Sequence, residues 1–366
     1  MMKGIRIGMN RDKNRLKRGK VIVLTATMLT AVTLLAGCSN ERKENQLSYR
    51  EIGIQSMQDG DYEGAIAAFD TALSYCLGGI GETEIDVCYY KAASQYASGD
   101  TKGALATYDA LIDYDNEDAN AHYMRGCLLL QMGENKKAQA DFADAITYNE
   151  KDYELYINIY KNLSAYNLTA EGEEYLNKAF SIKGDSAQDR AYRGELYFLL
   201  GQYENALTEL NAALKEGSVE ANLTLAQVYE ALGDAEMAET CYKAYVDSGV
   251  ADSVALCALA EIEMEKLDYA AALSYIKQGL AMEEVTNRRQ LMQNQIICME
   301  YTGDFAGAGT VAAEYIKLYP EDAEVKREYI FLKNRQDASE VSQEVEAQIV
   351  PATETVETQS TEETAQ

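Results

Sequence analysis

The chain of 366 residues has no tryptophan, a single histidine, two prolines and few basic side chains. With His122 as the only histidine, metal sites built from several histidines are excluded, and Ser-His or Cys-His catalysis is disfavoured. Two prolines agree with an all-helical body, since proline interrupts helices. Basic side chains number 33 against 60 acidic ones. This balance argues against nucleic acid as a partner, because binding phosphates needs a basic surface.

Sequence motifs of common enzyme classes are also missing. The chain has no Gly-x-Ser-x-Gly elbow, no Gly-Lys-Ser/Thr phosphate loop and no dinucleotide-binding Gly-x-Gly-x-x-Gly after a strand. Carboxylates are abundant, but on helix faces they are usually solvated, and His122 falls near a packing position of a predicted helix. We therefore expect no catalytic residue, no metal site and no cofactor, and a structural role for His122.

A small residue recurs along the chain at a nearly constant spacing. The intervals are 39, 34, 34, 34, 32, 34 and 36 residues, between Ala65, Ala104, Ala138, Gly172, Ala206, Ala238, Ala272 and Ala308. A period in this range marks a stacked array of repeats. In three clear copies, residues 60–73, 201–214 and 268–280, apolar residues follow the i, i+3, i+4, i+7 spacing of one helix face.

A second helix and a tight turn are predicted before each of these helices. The upstream small residues, which mark the points where the two helices cross, are Gly53, Ala92, Gly126, Gly194, Ala226 and Ala260. The turn glycines, which suit the left-handed residue that ends a helix, are Gly60, Gly99, Gly133, Gly201, Gly233 and Gly303. The acids that follow them, suited to the start of the next helix as cap or dipole partner, are Asp61, Asp100, Glu134, Asp234 and Asp304.

This pattern resembles the tetratricopeptide repeat (TPR) family, whose unit is a helix–turn–helix of 34 residues. The resemblance covers roughly residues 46–322, in about eight repeats. The family's first-helix tryptophan is absent throughout, and the fourth repeat is degenerate, with Tyr160 and Asn167 in place of the small residue and the turn glycine. Residues 321–335 are predicted to form a capping helix. The expected fold is an all-α solenoid over residues 46–335.

The amino terminus has the features of a secretory signal. Residues 1–20 carry eight basic side chains, and a 16-residue apolar run, too short for a comfortable membrane span, follows from Val21 to Ala36. The sequence Leu35-Ala36-Gly37-Cys38 is similar to the lipobox of bacterial lipoproteins. That resemblance implies a signal peptide over 1–37 and acyl chains such as palmitate on Cys38. A secreted protein or a one-span anchor with a chance cysteine is the alternative.

Lipidation at Cys38 implies a place on the extracytoplasmic side of the cell membrane. Residues 38–45 would then be a polar linker, and removal of residues 1–37 would leave 25 basic and 59 acidic side chains. Residues 336–366 contain eight acids and no bases, and this acidic Thr/Gln/Glu-rich tail is predicted to be disordered.

Two cysteines flank an insertion in the first interval of the repeat. Cys76 ends one predicted helix and Cys88 begins the next antiparallel one, so a disulfide could close the loop between them. Outside the cytoplasm such a bond is permitted. Free thiols that pack as small apolar side chains are the favoured alternative.

In the TPR family the first helices line a concave groove, and projecting that face onto this sequence predicts the binding residues. They are Tyr89, Tyr96 and Tyr123 in the amino-terminal half, and Glu195, Phe198, Glu230 and Glu261 in the carboxy-terminal half. Such a groove suits a basic or partly apolar protein or peptide. The alternative is that these tyrosines pack between repeats and that the acids are ordinary surface residues.

The expected function is a membrane-anchored, non-catalytic scaffold that binds a protein or peptide, in the assembly of a cell-envelope complex. A glycan- or small-ligand-capturing surface lipoprotein is the second hypothesis. The absence of tryptophan, the usual platform for stacking sugars, weakens it, although 27 tyrosines keep it open.

Overall fold

A computed structural model describes residues 29–76, 79–250 and 252–335, with side chains from residue 41 onward. Every regular element within these ranges is helical, so the predicted all-α fold is confirmed. The first eight helices are α1 (Leu29–Gln58), α2 (Tyr62–Ser74), α3 (Glu82–Ala97), α4 (Thr101–Tyr114), α5 (Ala119–Gln131), α6 (Asn135–Tyr148), α7 (Tyr153–Ala165) and α8 (Thr169–Ala179). The next eight are α9 (Ala187–Leu199), α10 (Tyr203–Lys215), α11 (Ala221–Leu232), α12 (Ala235–Tyr245), α13 (Ser253–Glu265), α14 (Tyr269–Leu280), α15 (Arg288–Tyr301) and α16 (Phe305–Leu318). A final helix, α17, covers residues 323–335.

Consecutive helices pack as antiparallel pairs, α1 with α2, α3 with α4 and so on to α15 with α16. These helix pairs correspond to the predicted repeats. The chain divides between Asp185 and Ser186 into two compact units. We call the described residues up to Asp185 the N-terminal unit and those from Ser186 the C-terminal unit. Each is a stack of helical hairpins, and α17 covers the end of the last hairpin, where Val325 and Leu332 join the core of α15 and α16.

The turns between paired helices have the predicted backbone. All six predicted turn glycines adopt positive φ, for example +78° at Gly133 and +79° at Gly233. In the fourth and seventh hairpins the same place is taken by Asn167 (φ +62°) and Leu267 (φ +63°). The left-handed turn is thus kept even where glycine is missing, because the following helix must fold back on its partner.

Acidic residues cap the helices that follow these turns. The side chain of Asp61 accepts a hydrogen bond from the amide of Gly64 at 2.9 Å, and Asp304 does the same with Gly307. Asp100 and Asp234 cap in this way too. Glu134 makes no such bond and instead lies 3.4 Å from the ammonium of Lys137. Capping by a side-chain oxygen is a property of the shorter Asp, Asn, Ser and Thr.

The periodic small residues form the centre of each hairpin. Ala65, Ala138, Ala206 and Ala272 have no exposed surface, and all the other members of the series are buried. These positions therefore lie in the interior of the hairpins. Because the packed faces are apolar on both helices, burial of this stripe drives the stacking.

The predictions for the two ends of the chain concern residues that the structure does not describe. Residues 1–28 and the tail 336–366 lie outside the described ranges, and residues 29–40, with Cys38, are described only as backbone helix. Among the described helices, none combines the length and the apolar character that spanning a bilayer requires.

Candidate functional site

The first helices of neighbouring hairpins lie side by side. In the N-terminal unit α1 contacts α3 and α5 contacts α7, and in the C-terminal unit α9 contacts α11 and α13 contacts α15. Each unit therefore has a surface built from first helices, which we call its first-helix face. The predicted binding residues belong to these helices.

Tyr89, one of the predicted binding residues, is an interior residue of the N-terminal unit. Only 5% of it is accessible, and its hydroxyl donates to Asp118 Oδ2 at 2.7 Å. Burial and the Asp118 carboxylate raise the pKa of Tyr89 well above its ordinary value. Its ring packs 6.3 Å from that of Tyr108 on the second helix of its own hairpin. Tyr89 therefore joins one hairpin to the start of the next.

Tyr96 and Tyr123 are half-buried and lie closer to the surface. The Tyr123 hydroxyl accepts a hydrogen bond from Asn162 Nδ2 at 2.9 Å. Tyr166, which the sequence pattern did not single out, is 41% exposed, and its pKa is raised by burial and by the neighbouring Tyr96 and Cys127. Tyr166 and Tyr96 are therefore neighbours at the surface of this unit.

The acidic residues of the C-terminal unit come together. Glu230 Oε2 on α11 accepts a hydrogen bond from the Tyr242 hydroxyl at 2.8 Å, and burial together with Glu261 and Glu265 raises the pKa of Glu230. These carboxylates, on two neighbouring first helices, are therefore close enough to repel one another. The predicted residues Glu195 and Phe198, on α9, are half-buried, and the Phe198 ring packs 6.3 Å from Tyr203.

Glu261 connects this acidic surface to α15. Its carboxylate accepts hydrogen bonds from Gln290 Nε2 at 2.6 Å and from Asn294 Nδ2 at 2.9 Å. Both amides also line a cleft of about 650 Å³ between α15 and α17. The cleft is lined by Thr286, Asn287, Arg289, Gln290, Gln293, Asn294, Ile296, Ile297, Glu300, Glu324, Val325 and Glu328.

The charge of this cleft is negative. Three carboxyl groups line it, and its one basic residue, Arg289, is already engaged: it donates to Tyr315 Oη at 2.9 Å and to Asp322 Oδ2 at 3.0 Å, and lies 3.3 Å from Glu321. Apolar surface is present as well, since Ile297 is 39% exposed. The cleft therefore offers carboxylates and an apolar side to one ligand.

Glu300 and Glu328 are neighbouring carboxyl groups in the cleft. Burial, together with the adjacent Glu328 carboxyl, raises the pKa of Glu300 to about 7. Within the described part of the chain, Glu300 Oε1 is buried with no hydrogen-bond donor. A cation placed between the two groups would give the buried Glu300 oxygen the partner that it lacks. We call the surface formed by Glu230, Glu261, Glu265, Glu300 and Glu328 the acidic face.

The two cysteines around the insertion are free thiols in the structure. Cys76 Sγ lies 3.4 Å from the carbonyl oxygen of Gly79. Cys88 is half-buried in the middle of α3, which begins at Glu82 and therefore earlier than the sequence predicted, and burial raises the pKa of its thiol. The disulfide considered for this pair is therefore not formed here, and its thiols make separate contacts.

Comparison with known proteins identifies the repeats. The family model described as tetratricopeptide repeat matches residues 119–152, and a second model with the same description matches residues 193–255. The chain contains tetratricopeptide repeats. Residues 119–152 coincide with one predicted repeat, built by α5 and α6. Together with the hairpin stack, these matches give the chain the architecture of a protein-interaction scaffold, a fold that is typically non-catalytic.

Curated relatives match part of the chain. DnaJ homolog subfamily C member 3 of Gallus gallus is 27% identical over 220 residues, which is 54% of this chain and 41% of the relative. The Bos taurus protein of that name is 23% identical over 276 residues, 69% of this chain and 52% of the relative. The chain thus spans about half the length, or less, of the curated relatives that it matches.

Two solved structures illustrate what the chain is similar to. A tetratricopeptide repeat protein from Parabacteroides merdae has a TM-score of 0.47 at 15% identity, covering 70% of this chain and 99% of that chain. PilW, a type IV pilus biogenesis factor, has a TM-score of 0.37 at 20% identity, covering 56% of this chain and 98% of that chain.

Proposed function

We propose that the protein is a lipid-anchored, extracytoplasmic scaffold whose acidic face holds a basic, partly apolar segment of another protein. The observation that carries this proposal is the cleft of about 650 Å³ between α15 and α17, lined by three carboxyl groups and by exposed Ile297. Binding proteins or peptides is what tetratricopeptide repeats do. The acidic face gives that general role a chemical preference.

Charge supports the preference for a basic ligand. Glu300 has no donor for its buried oxygen among the described residues, and the pKa of Glu230 is raised in part by Glu261 and Glu265. A lysine or arginine side chain would relieve both the unpaired oxygen and the repulsion. Complementary charge also speeds encounter and rejects acidic partners.

The amino-terminal sequence supports the anchor. Cys38 follows a basic segment and an apolar run at the position where lipoproteins are cut and acylated. More than one acyl chain gives stable attachment, and the strongly negative chain would be repelled by anionic lipid. A scaffold held in this way would stand away from the bilayer, and assembly of a cell-envelope complex is the role that we propose for it.

Peptide binding tests the acidic face. The probe is a fluorescent peptide of about twelve residues made of lysine and leucine, compared with one in which glutamate replaces lysine. We expect the lysine peptide alone to bind, with an affinity that falls as salt is added. Glu265→Lys combined with Glu328→Lys should weaken binding by about tenfold or more.

The matched control is Glu314→Lys, an exposed acid on α16, the second helix of the last hairpin. This substitution also makes the net charge less negative, but at a position outside the acidic face. It should leave the affinity for the lysine peptide nearly unchanged. Equal binding of the two peptides, or an equal loss in the control, would refute the acidic-face proposal. Binding of a glycan array by the wild-type chain, with neither peptide bound, would favour the ligand-capturing alternative.

Lipidation is tested separately. In cells fed an alkynyl palmitate, the full chain should incorporate the label and partition into the detergent phase, and Cys38→Ser should abolish both. Cys76→Ser is the control, since it removes another thiol outside the lipobox. Label retained in Cys38→Ser would contradict the anchor and leave the acidic face untouched.

A further inference from the structure

We propose that His122, Asp141 and Asp144 form a binding site for a divalent transition-metal ion, with Zn²⁺ as the ion that fits best. His122 lies on α5, and the two aspartates lie on α6 of the same hairpin. Residues three apart share one face of a helix, so both carboxylates point toward α5. One nitrogen and two carboxylate oxygens lie within 4.8 Å of one another.

The histidine is held with one nitrogen prepared for a ligand. His122 is only 5% exposed, and its Nε2 lies 3.1 Å from the backbone carbonyl oxygen of Asn116. A carbonyl can only accept, so Nε2 carries a proton, and in the neutral ring Nδ1 then has the lone pair. A hydrogen bond of this kind, from the far nitrogen to a carbonyl, is how metal-binding histidines are oriented.

Nδ1 is buried and has no hydrogen-bond partner among the described residues. It faces Asp141 Oδ1 at 3.6 Å and Asp144 Oδ2 at 3.9 Å. Both distances are too long for hydrogen bonds. A buried lone pair that faces two carboxylate oxygens needs a positive species between them, because buried polar atoms are costly when unpaired.

The spacing of the donors fits zinc. With zinc-to-ligand distances of about 2.0–2.2 Å, a tetrahedral ion holds its donors about 3.3–3.6 Å apart. The Nδ1–Asp141 distance is already 3.6 Å. Asp144 has to move by about an ångström to reach this spacing, because the three donor atoms now span up to 4.8 Å. Its side chain is 54% exposed and therefore free to move. The exposed side of Asp144 also leaves room for water as the fourth ligand.

The surroundings hold the carboxylates and balance the charge. Arg125 donates to both oxygens of Asp141, from Nε at 2.8 Å and from Nη2 at 2.7 Å, and it also pairs with Asp109 at 2.7 Å. One guanidinium against the carboxylates of Asp109, Asp141 and Asp144 leaves two net negative charges, which matches a divalent cation. The ring of Tyr148 covers the imidazole, with centroids 5.5 Å apart.

The donor set selects the class of metal. Ca²⁺ and Mg²⁺ prefer oxygen ligands alone, whereas imidazole suits zinc and the later first-row ions. Zinc binding requires a neutral imidazole and ionised carboxylates, so binding should weaken as the solution becomes acidic. The inference concerns the N-terminal unit and is independent of the acidic face.

The experiment uses the fact that His122 is the only histidine in the chain. In the full chain, prepared with a histidine-free tag, every imidazole NMR signal comes from this one ring. Addition of ZnCl₂ should shift the Cε1–H and Cδ2–H signals and raise Tm, whereas MgCl₂ should do neither. Asp144→Asn should weaken zinc binding by about tenfold or more, on the scale seen when metal sites lose a supporting group.

Two variants make the result decisive. Asp113→Asn removes an exposed carboxylate on α4 outside the cluster and should leave zinc affinity unchanged. His122→Gln keeps all the cysteines and so measures zinc bound by thiols elsewhere. Imidazole signals that stay unmoved by a large excess of zinc would overturn the proposal, as would equal affinity in wild type and Asp144→Asn. Signals that respond to pH but never to zinc would assign the site to a proton instead.

Discussion

The ring of Phe142 lies directly against the backbone of Gly126. A Cβ atom added at Gly126 would come within 2.7 Å of Phe142 Cε1, and within 3.2 Å of the backbone oxygen of Ala138. Gly53 stands in the same relation to Phe69, and Gly194 to Leu210. A small residue on the first helix and a large one on the second thus form one crossing contact that recurs in hairpins of both units.

We expect Gly126→Ala to destabilise the N-terminal unit. Alanine favours a helix by about 1 kcal/mol over glycine, but overpacking typically costs about 1–3 kcal/mol, and here a fully buried ring must move. The net loss should be on the order of 1 kcal/mol, measured as a lower midpoint in urea unfolding. In the matched control, Gly309→Ala, the nearest atom to the new Cβ is Leu332 Cβ at 3.8 Å, so that variant should gain stability. A gain of equal size at Gly126 would contradict this account of the crossing.

Much of this hairpin geometry could be predicted from the sequence because it repeats. Ala138 and Ala206 must be small because each lies at a close contact within its own hairpin. The spacing of such residues along the chain therefore equals the length of one repeat and indicates the fold. Gly133 and Asp304 act within a few residues of themselves, and their turn and capping roles follow from local chemistry. Glu134 was an exception, since its longer side chain pairs with Lys137 instead of capping the helix.

Leu267 is a strained residue in the turn of the seventh hairpin. It has φ +63° and is 71% exposed, so it takes the left-handed conformation without burying its side chain. That conformation costs an L-residue roughly 1–2 kcal/mol. Glycine avoids this strain in the folded state, but the greater conformational entropy of its unfolded state offsets part of the gain in stability. We expect Leu267→Gly to increase the free energy of unfolding by about 0.5–1 kcal/mol. The gain should be visible as a higher Tm.

The reverse change, Gly133→Leu, places leucine at an equivalent turn with φ +78° and no neighbour within 4 Å of the added Cβ. It should lower Tm through backbone strain alone. If both changes left Tm unaltered, strain in these turns would be negligible.

The candidate site was less accessible to sequence reasoning than the fold. Tyr89 and Tyr96 occupy the same predicted face, yet Tyr89 is buried through its bond to Asp118 on the next hairpin. The pattern of apolar residues along one helix does not show how far the next hairpin buries each side chain. Glu328 and Asp144 were missed because their partners, Glu300 and His122, are brought to them by packing between helices and not by any spacing along one helix.

Cysteine reactivity should follow burial. Burial raises the pKa of Cys127 and of Cys257 to about 12, and that of Cys298 to about 11. Since the thiolate is the reactive form, these three should resist iodoacetamide at neutral to slightly alkaline pH until the chain is denatured. Cys76, at the end of α2, should be alkylated first.

Peptide mapping by mass spectrometry would measure the order. Rapid labelling of Cys257 in the native protein would contradict the buried environment described here. A species in which Cys76 and Cys88 both stay unlabelled after denaturation, and become reactive only after reduction, would show that the pair forms a disulfide in cells.

Asp322 fastens the capping helix α17. Its carboxylate accepts from Tyr315 Oη at 2.7 Å and from Arg289 at 3.0 Å, and it also accepts the amides of Glu324 and Val325 at the start of α17. These hydrogen bonds, with the Arg289 charge, hold the pKa of Asp322 well below its usual range. A carboxyl with a lowered pKa stabilises the folded state above its unfolded pKa, and this is lost as pH falls through the folded value.

We expect Asp322→Asn to loosen α17 at neutral pH, so that trypsin cuts faster at Lys326 and Arg327, two exposed residues of this helix. Glu321→Gln is the control, since Glu321 contacts Arg289 at 3.3 Å but caps no helix. Cleavage at the same rate in wild type and Asp322→Asn would mean that the apolar contacts of Val325 and Leu332 hold α17 by themselves.

Glu300 should make the stability of the C-terminal unit depend on pH. Burial and the adjacent Glu328 raise its pKa from 4.5 to about 7. A carboxyl whose pKa is raised on folding binds its proton more tightly in the native state, so the native state loses stability as pH rises between these two values. Because Glu300 is partly solvated, the full pKa shift overstates the effect, and we expect a loss of stability on the order of 1 kcal/mol.

Glu300→Gln keeps the shape of the side chain and removes its charge. The variant should therefore have the same Tm as wild type near pH 4.5 and a higher Tm near pH 8. Glu314→Gln, on the exposed surface of α16, should show no such difference between the two pH values. A bound lysine peptide should likewise abolish the difference, because a cation replaces the proton between Glu300 and Glu328. If the Tm of wild type and of Glu300→Gln changed with pH in the same way, the two carboxylates would not share a proton. The electrostatic reason for a cation to bind in the cleft would then be removed.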